Sequence, residues 1–433
     1  MAVIYKNLII GSGPAAVAAL MALNNSNKVA IVNGEYKGSK HIKSAHRKIT
    51  YNLKNKKEGF CSDIFISKNK EKIFSISKIG GLANFWGQGF DFVNYKKLYN
   101  KKIFKNENEY KNIIKKIYFF FKIDFYKGSY YKLTNNINLF PSPIVKENII
   151  KKELHLKTLK NTYEFLKKKI AITEYNSRVK KIVLNKKIFE IILADSKKIY
   201  STNIILSAGV IGNSKILFNS NSSIKKITFK DDCPWVVFTF GMCQKFKKFI
   251  RNSYSTIGKD VKNSVFLSVY NLRRINIHFL LYYIFGINFP NFLKKIKFRF
   301  DYFNVFQIWS KYTIVKIHLS RNNTYREEAI YESASKKKLK KILKTLKEKK
   351  IFKLLCSTTR AGEGFHYHNM SIEIDNVKKK FLINEYLKTI YNKNIICVDA
   401  SDAKNISPGP FTASEMAIAY KKIKLFFKNN QNH

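Results

Sequence analysis

At 433 residues, 45% of them hydrophobic, the chain is long enough to bury a large core and to hold more than one domain. Lys and Arg number 81 against 29 Asp and Glu, a formal net charge of +52, but nine of the 81 are Arg and 72 are Lys, spread over the whole chain. Arg is the preferred reader of bases and phosphates, and Lys, Asn, Ile, Phe and Tyr share AT-rich codons, so mutational drift accounts for the charge without a specific nucleic-acid partner. A polyanion-binding surface is the competing reading. The five cysteines (Cys61, Cys233, Cys243, Cys356, Cys397) form no C-x-x-C and are odd in number, which excludes a disulfide framework and a zinc site and fits reduced thiols in a cytoplasmic protein. The first strand starts at once, leaving no room for a signal peptide.

The stretch from Val3 to Leu23 organises the rest. A short apolar run (Leu8, Ile9, Ile10) meets Gly11-Ser12-Gly13-Pro14-Ala15-Ala16, and an alanine-rich helix without charge follows. A second strand from Lys28 to Val32 completes a βαβ unit. Gly11 permits the turn, Gly13 allows backbone to approach a pyrophosphate, and Ala16 takes the last small slot of G-x-G-x-x-G/A. The helix start, with its amides and positive dipole end, faces the anion. A dinucleotide is the reading; a structural glycine turn is the alternative. The acidic residue expected at the end of the second strand is replaced by Asn33, with Glu35 two residues later. Either Glu35 takes the ribose through a shifted turn, or Asn33 makes a neutral hydrogen bond.

Residues 36–75 read as a long polar excursion of functional type. Ser77 to Phe90, SKIGGLANFWGQGF, joins Gly80-Gly81, Asn84 and Trp86: either a glycine-rich loop around a core tryptophan or backbone approaching a flat ligand. From Asn94 to about Lys168 the pattern is helical. Arg178 to Leu184, Ile188 to Leu193 and Asn203 to Leu206 are strand-like and lead into LSAGVIGNSKIL, whose Ala208-Gly209 makes a second close-approach turn before a helix. Residues 226–325 alternate as a sheet does. Within them Ile275 to Phe289 is too short to span a bilayer; flanked by basic residues it suits peripheral membrane contact, and a buried strand pair is the preferred reading. Ser335 to Lys350 is a basic amphipathic helix, read as a surface helix rather than a calmodulin-target or membrane helix.

Near the end, His366 and His368 stand two apart, so on a strand both face one side and Tyr367 the other. Two such histidines could ligate a metal, but no Cys or acid cluster completes a set, and no metal is expected. Asn394 to Ser401 reads as a buried strand ending in a polar turn. Thr412-Ala413-Ser414-Glu415 reads as a capping box opening a helix from Met416 to Phe427.

GSGPAA, GGLANFWGQG, ILSAGVIGNSKIL, and FHYHNM followed by ICVDAS and a terminal helix, in this order, resemble the glucose-methanol-choline family of flavoprotein oxidoreductases, particularly its shorter bacterial branch. The resemblance implies an α/β fold: a Rossmann-like FAD-binding domain from 1–95, 165–225 and 355–433, and a sheet-based substrate domain from 96–164 and 226–354. It implies FAD, with the pyrophosphate at Gly11, Gly13 and Ala16. Gly80, Gly81, Asn84 and Trp86 would lie along the isoalloxazine, and Val179 would meet the adenine through its backbone. Ala208, Gly209, Asp399 and Ala400 would line the cofactor, and the helix opening at Thr412 would point its dipole at the flavin's N1 edge. It further implies oxidation of a CH–OH group of an alcohol or sugar-like substrate, with His366 as base and an electron acceptor that the residues do not specify. The family's second His or Asn before the terminal helix aligns near Pro410, which leaves His368 as a substitute. Another flavin- or NAD-linked reductase would want a second G-x-G-x-x-G and a redox C-x-x-C, both absent from the chain; a non-enzymatic basic polyanion-binding protein is the remaining alternative.

Overall fold

Strand β1 (Ile4–Ile10) runs into helix α1 (Pro14–Leu23), which returns the chain to β2 (Val29–Asn33) parallel to β1. Ala15 to Leu20, Ala22 and Leu23 are all buried, which is why α1 carries no charge on any face. A computed structural model describes residues 3–23, 29–34, 63–66, 72–75, 95–98, 100–121, 131–132, 137–141, 149–150, 153–154, 172–242, 255–260, 265–271, 303–321, 324–327, 332–360, 366–404 and 412–431. Glu35, the loop with Gly80, Gly81, Asn84 and Trp86, the run from Ile275 to Phe289, and Pro410 lie outside these residues.

After β2 come a hairpin of β3 (Asp63–Ile66) and β4 (Lys72–Ser75), helix α2 (Glu107–Phe120), β5 (Tyr131–Lys132), β6 (Ile137–Pro141) and a short hairpin of β7 (Ile149–Ile150) and β8 (Glu153–Leu154). Then follow β9 (Ile172–Asn176), β10 (Val179–Asn185), β11 (Ile188–Leu193), β12 (Lys198–Leu206) and α3 (Gly209–Ser220). Next are β13 (Ile224–Asp232), β14 (Trp235–Met242), β15 (Ser255–Asp260), β16 (Val265–Asn271), β17 (Phe303–Ser310), β18 (Ile314–Leu319), β19 (Thr324–Glu327) and α4 (Glu332–Glu348). The chain ends with β20 (Phe352–Arg360), β21 (His368–Ile374), β22 (Lys380–Leu382), α5 (Ile383–Ile390), β23 (Ile395–Cys397) and α6 (Thr412–Gln431).

Among the described residues, one seven-stranded sheet has the order β10-β11-β12-β1-β2-β9, with β23 beside β12. The pairs β12–β1, β1–β2, β2–β9 and β12–β23 are parallel, and β10–β11 and β11–β12 antiparallel. One edge of β12 is shared: β11 takes Lys198 to Ser201 and β23 takes Ile204 to Leu206. One apolar core joins β1, β2 and β12 to α1, α2 and α6; another joins Leu8, Ile10, Ile204 and Leu206 to Ile227, Phe229 and Ile372 of a five-stranded antiparallel sheet, β19-β18-β13-β21-β22.

A second seven-stranded sheet, fully antiparallel, has the order β20-β14-β17-β16-β15-β6-β5 and is packed by Leu339, Ile342 and Leu346 of α4. The neighbours β18-β13-β21 of the five-stranded sheet run on in sequence with β17-β14-β20 of this one. Three adjacent strands thus meet at a common seam, marked by Cys233-Pro234, residues 311–313 and residues 366–367.

Some expectations are corrected. The stretch read as helical from Asn94 to Lys168 holds α2 but also β5 and β6, because Ile137-Asn138-Leu139-Phe140 alternates and pairs β15. It is divided between the two sides: Tyr110, Ile113, Ile114 and Ile117 pack with α1 and α6. The excursion 36–75 contains the β3–β4 hairpin. The last helix starts at Thr412 rather than Met416, one turn earlier, so Thr412 is a helical residue and not the cap. Among the described residues no helix is long and apolar enough to cross a membrane.

Gly11 has φ +112°, and a Cβ there would lie 2.3 Å from the Ser207 carbonyl oxygen, whereas a Cβ at Gly13 would meet nothing within 4 Å. Gly11→Ala should therefore destabilise by about 2–5 kcal/mol and Gly13→Ala by less than about 1 kcal/mol. Urea unfolding of both variants checks this; equal midpoints would contradict the packing.

Candidate active site

The two glycine turns meet at the carboxyl ends of β1 and β12. Gly11 N–H donates to the Val32 carbonyl at 2.9 Å, and Ser207 donates to the Ile10 carbonyl from both its amide and its hydroxyl, each at 2.9 Å. Ser207 and Ala208 lie against Gly11 so closely that only glycine fits. The second turn passes through Gly209, at φ +74°, into α3. There Asp399 Oδ2 accepts from Gly209 N–H at 2.8 Å and from Asn213 Nδ2 at 2.9 Å, while its Oδ1 accepts from Ser401 N–H at 2.9 Å. A carboxylate at a helix N-terminus suits the dipole, so Asp399 ties the C-terminal segment to the second turn. Ala400 opens the single helical turn that follows it.

Both turns leave room. A Cβ at Gly13 or at Gly209 would meet nothing within 4 Å, and the first turn of α1 starts beside the former, with Ala16 buried behind it. Asn33 ends β2 and donates from Nδ2 to Glu174 Oε1 at 2.6 Å on the neighbouring strand β9, so this amide is committed to a carboxylate that sequence reasoning missed. Val179 opens β10, half-buried at the edge of the sheet, and Thr412 is half-buried in the first turn of α6.

The histidines lie at the seam between the two antiparallel sheets. Strand β21 begins at His368, so His366 precedes it; the expected pair on one strand face is split between two settings. His366 is half-buried and stacks on Trp309, ring centroids 4.5 Å apart and planes 12° from parallel. Its backbone N–H donates to Asp231 Oδ1 at 2.9 Å. Tyr367 turns the other way, edge-on to Phe229 in the core. His368 is fully buried, and its Nδ1 lies 2.8 Å from the His366 carbonyl oxygen. A carbonyl only accepts, so Nδ1 carries the proton and the neutral ring has its lone pair on Nε2.

Burial, and secondarily His368, pushes the His366 imidazole down to about 4. Burial, reinforced by the Lys230 ammonium opposite it on β13, does the same to His368, also to about 4. Asp232 is buried with no hydrogen-bond partner for either carboxylate oxygen among the described residues, and burial and the neighbouring Asp231 push its carboxyl well above the usual range. Asp231, Asp232 and Trp309 escaped sequence reasoning. The available signal was an Asp-Asp pair ending an alternating strand, where two solvated carboxylates are out of place.

No family model matches the chain, and none of the curated proteins does. In architecture the chain belongs with mixed α/β proteins built on one parallel and antiparallel sheet and further antiparallel sheets. Solved structures share it from end to end. Pyridoxine 4-oxidase from Mesorbium loti is 10% identical, with a TM-score of 0.60 and 99% of each chain covered. A variant of formate oxidase from Aspergillus oryzae RIB40, made to study FAD modification, is 10% identical with a TM-score of 0.61, covering 100% of this chain and 99% of its own. A further formate oxidase structure is 11% identical with a TM-score of 0.60. These are glucose-methanol-choline oxidoreductases, and the likeness at this identity is one of fold.

Both imidazoles have pKa values depressed in the folded state, so the unfolded chain binds more protons as pH falls below about 6.5, and stability is lost down to about pH 4. For His368 the loss should reach about 2 kcal/mol by pH 5. Denaturant unfolding at pH 7.5 and pH 5 should show it, and His368→Gln should remove that share; an unchanged pH slope in the variant would contradict a buried neutral His368.

Proposed function

We propose that this chain is an FAD-dependent oxidoreductase that oxidises a CH–OH group of a small alcohol or sugar-like substrate. The observation that carries the reading is the pair of interlocked turns at Gly11–Gly13 and Ser207–Gly209, which leave open space at Gly13 and Gly209 beside a helix N-terminus. The whole-length fold likeness to pyridoxine 4-oxidase and formate oxidase supports it. In this reading residues 1–95, 165–225 and 355–433 supply the Rossmann-like cofactor side, α2 packs with it, and most of the remaining strands form the substrate side.

The residues fit the cofactor as follows. Gly11, Gly13 and Ala16 with the first turn of α1 receive the pyrophosphate, Asn33 or Glu35 the ribose, and the Val179 backbone the adenine. Ala208, Gly209, Asp399 and Ala400 would line the cofactor's path, the stretch with Gly80, Gly81, Asn84 and Trp86, outside the described residues, would meet the ring system, and the α6 N-terminus at Thr412 would offset negative charge. When bound, the flavin supplies a hydride acceptor for the alcohol carbon.

His366 takes the hydroxyl proton. Burial keeps its imidazole neutral at pH 7, hence able to accept, and Trp309 covers one face of the ring and excludes water there. Of the two histidines His366 has the solvent exposure, so it meets substrate, and His368 orients it through the bond to its carbonyl.

The protein should purify yellow with FAD held non-covalently, since Ser77 to Phe90 contains no His or Cys. Acid precipitation should leave the colour in the supernatant; colour in the pellet means covalent attachment. His366→Ala should keep FAD yet slow flavin reduction by an alcohol substrate roughly 10²- to 10⁴-fold in stopped flow. Reduction at the wild-type rate would sink the base assignment.

A further inference from the structure

We propose that Asp231 is the positioning residue of this site: its carboxylate holds the backbone of His366 and thereby keeps the imidazole flat on Trp309. The proposal rests on the reading of His366 as the base. Asp231 lies near the end of β13, fully buried, and its Oδ1 accepts the His366 N–H at 2.9 Å from a residue 135 positions later. Its Oδ2 faces the Cys233 Sγ–H at 3.6 Å.

His366 precedes β21, whose ladder with β13 begins at His368 opposite Lys230, so the ladder does not hold the His366 amide. The carboxylate stands where a ladder carbonyl would otherwise accept it. With this bond the residue is tied at three points: N–H to Asp231, C=O to His368 Nδ1 at 2.8 Å, and ring to Trp309. The three partners come from β13, β21 and β17, and Tyr367, wedged against Phe229, prevents the segment from turning over. Trp309 is itself buried and backed by Phe266, so the surface on which the ring rests is rigid.

Asp231 does this by geometry rather than by charge. A carboxylate acting on the imidazole would raise its pKa, yet the ring is pushed down, by burial and by His368. A neutral isostere that keeps the acceptor oxygen is therefore sufficient, which separates this role from that of a carboxylate pairing with an imidazolium.

The test uses the flavin-loaded full chain with isotope-labelled histidine. Over the indole face the His366 ring proton resonates upfield, and its signal is identified by its disappearance in His366→Gln. In Asp231→Asn the upfield shift should persist and flavin reduction stay within about threefold of wild type. In Asp231→Ser, whose oxygen is too short to reach the amide, the shift should collapse and reduction slow roughly 10- to 100-fold, with kcat rather than KM carrying the loss and FAD content unchanged. A shift retained in Asp231→Ser, or lost in Asp231→Asn, overturns the proposal. The Asn variant keeps every heavy-atom position and decides the matter even where the Ser variant does not fold. Failure of the base reading is seen separately, as wild-type reduction by His366→Ala, and leaves the resonance test intact.

Discussion

The contact on which the rest depends is the one between Gly11 and the Ser207–Ala208 backbone. Strands β1 and β12 pair along their length, from Ile4 opposite Tyr200 to Ile10 opposite Leu206, and both must turn sharply at the same height. Two chains carrying side chains cannot do this side by side; a hydrogen in place of a Cβ at Gly11 lets the turns touch. The Ile10 carbonyl then takes both donors of Ser207, and Asp399 locks the far side of the second turn to the C-terminal segment. Three stretches separated by hundreds of residues are thereby brought to one edge of one sheet, and the open space at Gly13 and Gly209 is the result.

The second constraint is the seam. Three neighbouring strands of one sheet continue in sequence with three of another, and the described residues between them, Cys233-Pro234, 311–313 and 366–367, lie outside the ladders. Side chains and neighbouring turns take over: Asp231 accepts the His366 amide, Thr313 Oγ1 donates to the Ser310 carbonyl at 2.7 Å, and the Thr313 backbone carbonyl accepts Cys233 N–H at 3.1 Å. Buried acids and imidazoles collect here because the change of direction creates demand for polar partners inside the protein. The same burial that makes the seam costly depresses both imidazoles and keeps them uncharged at neutral pH.

Much of the parallel sheet and its two glycine turns was legible in the sequence because their signals are local. Gly11 and Gly13 after Leu8-Ile9-Ile10, an uncharged alanine helix, and Ala208-Gly209 after another apolar strand each state their geometry within about ten residues. The seam was not legible. His366 and His368 suggested one strand face, since alternation assumes that the strand has already begun; the strand begins between them, a fact set by the register with Lys230. Asp231 and Trp309 meet His366 from positions far away in the chain, and no spacing announces such a meeting. The helix read over Asn94 to Lys168 failed for a related reason: β6 is stabilised by pairing with β15, a partner more than a hundred residues later.

The shared edge of β12 also has a consequence for how the chain folds. Its amino-terminal half is paired by β11, a neighbour in sequence, but Ile204, Ile205 and Leu206 wait for β23 at Ile395 to Cys397. Until residues 395–397 have been synthesised, the apolar end of the central strand beside the second glycine turn presents an unpaired edge, the kind of edge that recruits other chains. A protein with this topology folds late and slowly, its sheet closed by contacts of high sequence separation. The lysine excess, whatever its origin, suits that interval: a strongly charged nascent chain repels its own copies while the last strand is still to come.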